Sequence, residues 1–508
     1  MLAATVLGSG MASLDATVVG IALPAIAHDF HAQVDSMQWA VDGYTLTLAG
    51  LLLLGGALGD SLGRRRLFLI GCAWFTVASL ACGFAPDVGF LIAARALQGV
   101  GAALLTPGSL AILQASFAPS DRPRAIGAWS GLGGVATAIG PFLGGWLISA
   151  VSWRLVFFIN LPLAIIVMAI AARHVPESRG EKQKVDVTGA ATISLSLAGL
   201  TYGLIAASSR GWGSAVVLGS ILAGVVLLGV FLYAENRNPA PMLPLGIFRS
   251  RQFSAANAVT FVVYGAMGAI FFLMPVVLQE VCGYSPLEAG AALLPVTALM
   301  LVLSARASAL AARIGPRLPM TVGPLLIAAG MVLFVRVDAS GNYLTEVLPA
   351  ALVFGLGTSL NVAPLTATAL AAAPAEHAGV ASAVNNAVAR AASLIAVAVL
   401  PVVAGITGDV YLHPGELARA FHVAVLIAAA WCAAGGVLAF ASIRNPGREK
   451  VKPSPARNRA PSGPAHPRYC AVDGPPLRPG VAAAVAGPTL DGGPAAATSP
   501  DAGQEPRT

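Results

Sequence analysis

Two charged residues lie deep inside apolar runs, where a charge is costly. Asp15 follows Leu14 near the middle of the first run, and Arg95 lies in a later run between Leu91 and Val100. If these runs are membrane-spanning helices, each charge lies about 10 to 15 Å below a membrane surface. A carboxylate can bind and release a proton, whereas an arginine keeps its charge and needs a partner. We therefore expect a proton-coupling pair; the alternative is a structural carboxylate and a structural ion pair.

Other polar residues in the apolar runs could line a central cavity. Asp42 lies about four residues inside the second run, where it is either a solvated interfacial acid or an acid at the outer mouth that attracts cations or relays protons. Arg390 lies about 16 Å into a later run, near the middle of the membrane. The cavity candidates are Asp42, Gln98, Asn257, Tyr264, Asn361, Asn386 and Arg390.

A short polar segment, Gly56–Phe68, separates the second and third apolar runs. Its glycines allow two helix ends to approach closely, and Asp60 can accept from helix N-terminal amides or pair with an arginine. The arginine cluster that follows marks the cytoplasmic side of a membrane protein. The segment is either a gating loop or only a topology signal. The residues assigned to gating are Gly56, Asp60, Gly63, Arg64 and Arg65.

The composition indicates what positions these residues. The chain has 508 residues, of which 56% are hydrophobic and 10% are charged. This charged fraction is far below the roughly 25% of soluble domains, so we expect an all-α integral membrane protein. We predict fourteen transmembrane helices, at about 2–26, 38–58, 67–85, 88–112, 125–149, 155–172, 187–207, 214–234, 254–279, 287–312, 319–336, 347–372, 379–407 and 420–442.

An internal repeat predicts two homologous halves. Ala57–Arg65 recurs in weaker form as Ala309–Arg317, with an offset of 309 − 57 = 252 residues, and Asp60 becomes Ala312. We expect two six-helix halves, 1–172 and 253–442, with two inserted helices and linkers over 173–252 and a disordered cytoplasmic tail over 443–508. The distribution of arginine and lysine in the loops places both termini in the cytoplasm.

Several other classes of protein are not supported. The net charge of +7 is explained by basic cytoplasmic loops and not by nucleic-acid binding. The five cysteines are scattered without metal-ligand spacing, and no Gly-x-x-x-x-Gly-Lys motif predicts ATP binding. No nucleophile–base pair indicates an enzyme. We expect no metal and no cofactor, with a proton gradient as the energy source.

The segments around these residues resemble the fourteen-span drug:proton antiporters of the major facilitator superfamily. The similar stretches are Leu14–Pro24, Gly56–Phe68, Leu91–Ala103 and Gly140–Gly145. The resemblance implies a major facilitator fold, proton coupling through Arg95 and alternating access to a central site. Gly20 replaces the asparagine that is usual in the first stretch, so any hydrogen bond made by that asparagine is absent here.

The last of these stretches indicates the direction of transport. Gly140, Pro141, Gly144 and Gly145 resemble the antiporter motif, which is found in exporters of this superfamily and is not usual in their uptake relatives. The resemblance therefore implies proton-driven efflux of small apolar or amphipathic compounds, such as drugs or antibiotics. We expect a monomer in the bacterial cytoplasmic membrane, with lipid, protons and a small molecule as its partners. A proton-coupled uptake symporter and a transport-inactive sensor or scaffold remain the alternatives.

Overall fold

The computed structural model describes residues 1–117, 121–180, 186–238, 241–373 and 378–445. Their long elements are all helices. We number these helices α1 (Leu2–Phe30), α2 (Val34–Leu62), α3 (Arg64–Gly83), α4 (Val88–Ser116), α5 (Arg122–Ala150), α6 (Leu155–His174), α7 (Val187–Arg210), α8 (Ala215–Arg237), α9 (Arg251–Glu280), α10 (Pro286–Ile314), α11 (Arg317–Arg336), α12 (Tyr343–Ala371), α13 (Ala378–Val403) and α14 (Pro414–Ser442). The predicted tail, 443–508, lies outside the described residues after Asn445.

The predicted membrane architecture is confirmed. Thirteen of the described helices, each 20 to 30 residues in length, are long and apolar enough to cross a bilayer, and α5 is 29 residues long. Most helices extend a few residues beyond the apolar runs; α1, for example, continues to Phe30. Spanning helices can continue into the polar headgroup region because their backbone hydrogen bonds are internal.

The predicted loop at 59–66 is much shorter than expected. Helix α2 continues to Leu62 and α3 starts at Arg64, so Gly63 alone separates them. Gly63 has φ of 113°, and Gly315 occupies the same place between α10 and α11 with φ of 92°. Other residue types rarely adopt this region, so a glycine is required at both turns. The two glycines are 315 − 63 = 252 residues apart, which is the offset of the sequence repeat.

Helix packing repeats between α1–α6 and α9–α14. In the first half α2 and α3 pack on α4, and α1 packs on α5 and α6. In the second half α10 and α11 pack on α12, and α9 packs on α13 and α14. The inserted helices α7 and α8 pack on each other, and α7 also contacts α2 and α13. The arrangement is the expected one of two six-helix halves with two inserted helices.

Contacts between the halves cluster toward one end of the bundle. We call the end that carries Arg64 the basic end and the other the distal end. Across the halves, α5 packs on α10, α2 on α13 and α1 on α9. At the distal end, the Tyr411 hydroxyl donates to the Ala32 carbonyl at 2.6 Å, and His28 lies 2.9 Å from Glu280. The halves are therefore held together at the distal end.

Candidate functional site

Asp15 and Arg95 form an ion pair buried in the first half. The Arg95 Nη1 atom lies 2.6 Å from Asp15 Oδ2. The Arg95 side chain is 1% exposed and that of Asp15 is 0% exposed. Asp15 lies on α1 and Arg95 on α4, and these helices pack against each other. Two opposite charges in such an environment require both a short contact and further hydrogen bonds to offset their loss of water.

Those further hydrogen bonds come from residues of three helices, α2, α4 and α6. Gln98 donates to Asp15 Oδ1 at 2.8 Å and accepts from Arg95 at 2.7 Å. Asn160 of α6 donates to the same Asp15 oxygen at 3.0 Å, and Arg95 Nε donates to the Ala40 carbonyl of α2 at 3.0 Å. Every hydrogen-bond partner of the Asp15 carboxylate among the described residues is a donor, and one of these donors is a guanidinium.

Aromatic rings complete the environment of the guanidinium. The Arg95 carbon Cζ lies 4.4 Å from the centroid of the Tyr44 ring and 5.9 Å from that of Phe157. Such cation–π contacts partly replace the water that a buried arginine loses. We call Asp15, Arg95, Gln98 and Asn160 the charge cluster. All four residues belong to the first half, so a rigid movement of one half against the other does not by itself separate Asp15 from Arg95.

Asn160 and Ser79 were not among the predicted site residues. Asn160 follows a break in α6 at Ile159, and it bridges Asp15 to Ser79, whose hydroxyl it contacts at 2.9 Å. Ser79 in turn donates to the Phe157 carbonyl at 2.9 Å. The sequence signal for Asn160 is an amide followed by Leu161-Pro162 in an otherwise apolar helix. Ser79 has no such signal, because small hydroxyl residues are common in membrane helices.

Asp42 does not occupy the solvated position that was considered for it. It is 0% exposed, and neither carboxylate oxygen has a hydrogen-bond partner among the described residues. Gln38, one turn earlier on the same face of α2, donates to the Val397 carbonyl of α13 at 2.6 Å. Asp42 therefore lies near the contact between the two halves. The reading as a solvated interfacial acid is wrong because the halves cover this part of α2.

Two of the cavity candidates contribute to packing inside the second half. Asn257 of α9 accepts from Asn385 of α13 at 3.2 Å and donates to the Phe253 carbonyl at 2.9 Å. Asn361 of α12 is 0% exposed and packs against Gly323 of α11, where an added Cβ would lie 2.7 Å from the Asn361 Cβ. Neither residue is on the cavity wall where it was expected, since helix–helix contacts bury both.

Three other candidates remain accessible. Asn386 is exposed on α13, and Arg390 is half-buried one turn further along the same helix face. Tyr264 of α9 is also half-buried. Tyr264 lies on α9 and Arg390 on α13; these two helices pack on each other, and α13 also packs on α2 of the first half. These side chains therefore lie where the two halves face each other.

At the basic end, Asp60 pairs with Arg64. The Asp60 carboxylate lies 2.7 Å from Arg64 Nη2 and also accepts from Arg64 Nε at 2.8 Å. Arg64 reaches α4 as well, where it donates to the Ala111 carbonyl at 3.4 Å. Gly56 faces Pro107 of the same helix, 3.8 Å from where its Cβ would be. The loop thus connects the ends of α2, α3 and α4.

Glu177 provides the helix-terminal contact that was considered for Asp60. Its carboxylate accepts from the backbone amides of Arg65 and Arg66, at 3.0 and 3.1 Å, at the start of α3. An anion at a helix N-terminus is stabilised by the free amides and the helix dipole. Asn445 has the equivalent position in the second half, accepting from the Arg317 amide at 3.1 Å. Sequence reasoning missed both residues because they lie outside the repeated segment.

The antiporter-motif glycines lie at close helix contacts. A Cβ added at Gly140 would lie 2.1 Å from the Thr17 hydroxyl of α1, and one at Gly144 would lie 2.6 Å from Val18. A Cβ at Gly145 would lie 2.3 Å from the Pro286 carbonyl oxygen of α10. Pro141 belongs to the same contact, because an added Cβ at Gly290 would lie 2.1 Å from its carbonyl oxygen. This part of α5 therefore packs directly against both halves.

Comparison with known proteins agrees with this architecture. The profile of the Major Facilitator Superfamily matches residues 5–397. The chain is 37% identical over 415 residues to the tetracenomycin C resistance and export protein of Streptomyces glaucescens, covering 81% of this chain and 77% of that protein. It is 36% identical over 438 residues to the puromycin resistance protein pur8 of Streptomyces alboniger, covering 82% and 86%.

Solved structures show the same fold at low sequence identity. The in meso crystal structure of the POT family transporter PepTSo aligns with a TM-score of 0.62 and 13% identity, covering 86% of this chain and 96% of that one. The profile match and the similarity to resistance and export proteins both extend over most of the sequence. On this evidence the chain belongs to the major facilitator superfamily and is a membrane transporter rather than an enzyme.

Proposed function

We propose that this chain is a proton-driven exporter of small apolar or amphipathic compounds. The observation that carries the proposal is the buried pair of Asp15 and Arg95, held by Gln98 and Asn160. A carboxylate in such a site is a reversible proton carrier if its partners can move. The similarity to resistance and export proteins supports the direction of transport.

The coupling requires movement within the first half. Helix α1 carries Asp15 and also contacts the second half, where Gln279 of α9 donates to the Ile21 carbonyl at 3.1 Å. Helix α4 carries Arg95 and packs mainly on α2 and α3. In the proposed mechanism, rocking of the second half displaces α1 relative to α4. Proton binding to Asp15 weakens its pairing with Arg95, and loss of the proton restores it.

Asp42 is the second candidate for the proton site. It is a fully buried acid without a hydrogen-bond partner in the described chain, and it lies where α2 meets α13. Separation of the halves at the distal end would expose it to water. Its environment therefore changes with the transport cycle, which is the requirement for a coupled protonation site.

We further propose that the protein acts as a monomer in the bacterial cytoplasmic membrane, with both termini and the basic end in the cytoplasm. It needs no cofactor, because the proton gradient supplies the energy. In this orientation the structure is closed toward the outside, where His28 and Tyr411 connect the halves. A substrate would enter from the cytoplasmic side and leave after the distal contacts separate.

Inverted vesicles provide the test, with puromycin and tetracenomycin C as trial substrates. We expect uptake of at least one compound when the vesicle interior is acidified without ATP, and loss of that uptake after addition of a protonophore. Uptake that requires ATP would contradict proton coupling. Accumulation in intact expressing cells would favour the symporter. No flux, combined with unchanged drug tolerance of those cells, would favour the sensor or scaffold.

A further inference from the structure

Arg390 carries a charge near the middle of the membrane that no described protein group neutralises. Its half-buried side chain makes no hydrogen bond and no ion pair within the described part of the chain. It lies 390 − 378 = 12 residues from the start of α13, which is about 18 Å from the basic end at 1.5 Å per residue. A guanidinium does not give up its proton at this depth, so its charge must be balanced by water or by a bound anion.

Arg95, which also lies within a membrane-spanning helix, shows the contrast. Arg95 uses its donors on Asp15, Gln98 and the Ala40 carbonyl, all within the protein. That arginine is a structural part of the charge cluster. Arg390 has five N–H donors in the same planar fork and leaves them available.

The intramembrane acids do not supply the missing charge. Asp15 is already paired with Arg95, and Asp42 is buried with both oxygens unpartnered. Tyr44 on α2 and Tyr264 on α9 belong to helices that pack on α13, and a phenol is not a counter-ion for a guanidinium.

The position of Arg390 is suited to a ligand that lies between the halves. Ala387, three residues earlier on α13, packs against the apolar cluster that contains Tyr44. Gly268 of α9 lies against Ser393 on the other side of α13. Arg390 is therefore between helices of different halves, and the exposed Asn386 on the same face leads toward the basic end.

We propose that Arg390 binds the acidic group of the exported compound, so that the substrates are amphipathic monoanions. This inference rests on the proposed export function and specifies its substrate class. A carboxylate, phenolate or enolate would pair with the guanidinium, and a carboxylate can do so through two parallel hydrogen bonds. The ring of Tyr264, which is half-buried on α9, would contact the apolar body of the ligand.

Three anthracene probes that differ mainly in charge test the inference. They are anthracene-9-carboxylate, its methyl ester and 9-anthracenemethylammonium. Binding to the purified full chain in detergent is followed by fluorescence titration, without any gradient. We expect the carboxylate to bind about tenfold more tightly than either other probe, which is one decade in Kd. Arg390→Gln should remove this preference, and Arg390→Lys should retain part of it.

Arg306→Gln is the matched control, because Arg306 is an exposed arginine on α10. It should bind all three probes as the wild type does, and thermal unfolding should show that every variant is folded. Equal or tighter binding of the ester or the ammonium would overturn the inference, as would failure to bind the carboxylate or an unchanged preference in Arg390→Gln. Since binding is measured without a gradient, anion preference without proton-driven flux would refute only the export proposal.

Discussion

Arg95 and Asn160 donate to opposite oxygens of one carboxylate, that of Asp15. The first contact is 2.6 Å long and comes from α4, and the second is 3.0 Å long and comes from α6. Asp15 is therefore held from two sides by helices that belong to the same half. The proposed coupling of a proton to transport through this carboxylate therefore requires a shift of helices within that half, in addition to rocking between the halves.

Replacement of Asp15 tests whether it carries the proton. Asp15→Asn should abolish pH-gradient-driven flux while retaining substrate binding, because the amide keeps the shape but cannot ionise. Asp15→Glu should keep partial activity with a shifted pH optimum. Asp35→Asn, at the distal end of α2, is the control and should transport normally. If Asp15→Asn transports as well as the wild type, the proton site lies elsewhere and Asp42 becomes the first candidate.

Removal of Arg95 should affect both stability and transport. Arg95→Ala leaves a buried charge unpaired, which costs about 3–5 kcal/mol, and it should be inactive. Arg95→Lys should be weaker than the wild type because one ammonium cannot reproduce the contacts to Asp15, Gln98 and Ala40. Thermal unfolding in detergent and vesicle flux provide the two readouts.

A double variant separates these two effects. Asp15→Asn combined with Arg95→Gln should recover much of the unfolding temperature lost in Arg95→Ala, because no unpaired charge remains. It should not recover transport. Recovery of proton-driven flux in the double variant would show that the pair is only structural.

Asn160 provides an independent test of the network. Asn160→Ala removes the donor to Asp15 Oδ1 and the link to Ser79, so we expect flux to fall several-fold with insertion unchanged. Asn160→Asp places a second carboxylate next to the first, and we expect it to be more strongly impaired. Flux and membrane insertion are measured together. Equal activity of wild type and Asn160→Asp would exclude this residue from the coupling network.

The gating loop is tested at both of its carboxylates. Asp60→Asn should impair transport while leaving insertion intact, because it weakens the contact with Arg64 that holds the helix ends together. Glu177→Gln should have the same effect through the N-terminus of α3. Glu416→Gln changes an exposed acid at the distal end and should be silent. Full transport by both loop variants would mean that the segment acts only as a topology signal.

The antiporter motif is expected to control closure of the distal end. Gly145→Ala would place a methyl group 2.3 Å from the Pro286 carbonyl oxygen, so α5 and α10 must separate. In a cysteine-free background carrying Met37→Cys, which is buried at the distal contact, labelling by a membrane-impermeant maleimide should increase. Gly229→Ala has nothing within 4 Å and is the control. Unchanged labelling in the Gly145 variant would contradict this role.

Much of the fold could be predicted because membrane helices satisfy simple physical requirements. The length of the apolar runs was enough to predict the fourteen helices. The glycine–arginine repeat was enough to predict the two halves, because the tight turns at Gly63 and Gly315 require glycine. Asp15 and Arg95 were recognisable as candidates because an intramembrane charge is expensive and needs a partner.

The remaining features depend on tertiary packing, which a single sequence does not specify. The burial of Asp42, Asn257 and Asn361 follows from which helix faces which, and their polarity alone suggested a cavity. Asn160 and Glu177 act through contacts more than 100 positions away in the chain, with Asp15 and Arg65 respectively. Such contacts cannot be read from local spacing.

The two halves close their helix turns with different chemistry. Next to the Gly63 turn, a carboxylate, that of Glu177, accepts the hydrogen bond from the helix N-terminus. Next to the Gly315 turn, a neutral amide, that of Asn445, accepts the equivalent bond. Dissolved ions screen the first contact and leave the second almost unchanged. The two turns share one backbone geometry and therefore differ only in how strongly ionic strength affects the contact beside them. A chain that ends before Asn445 would lose the contact with the Arg317 amide.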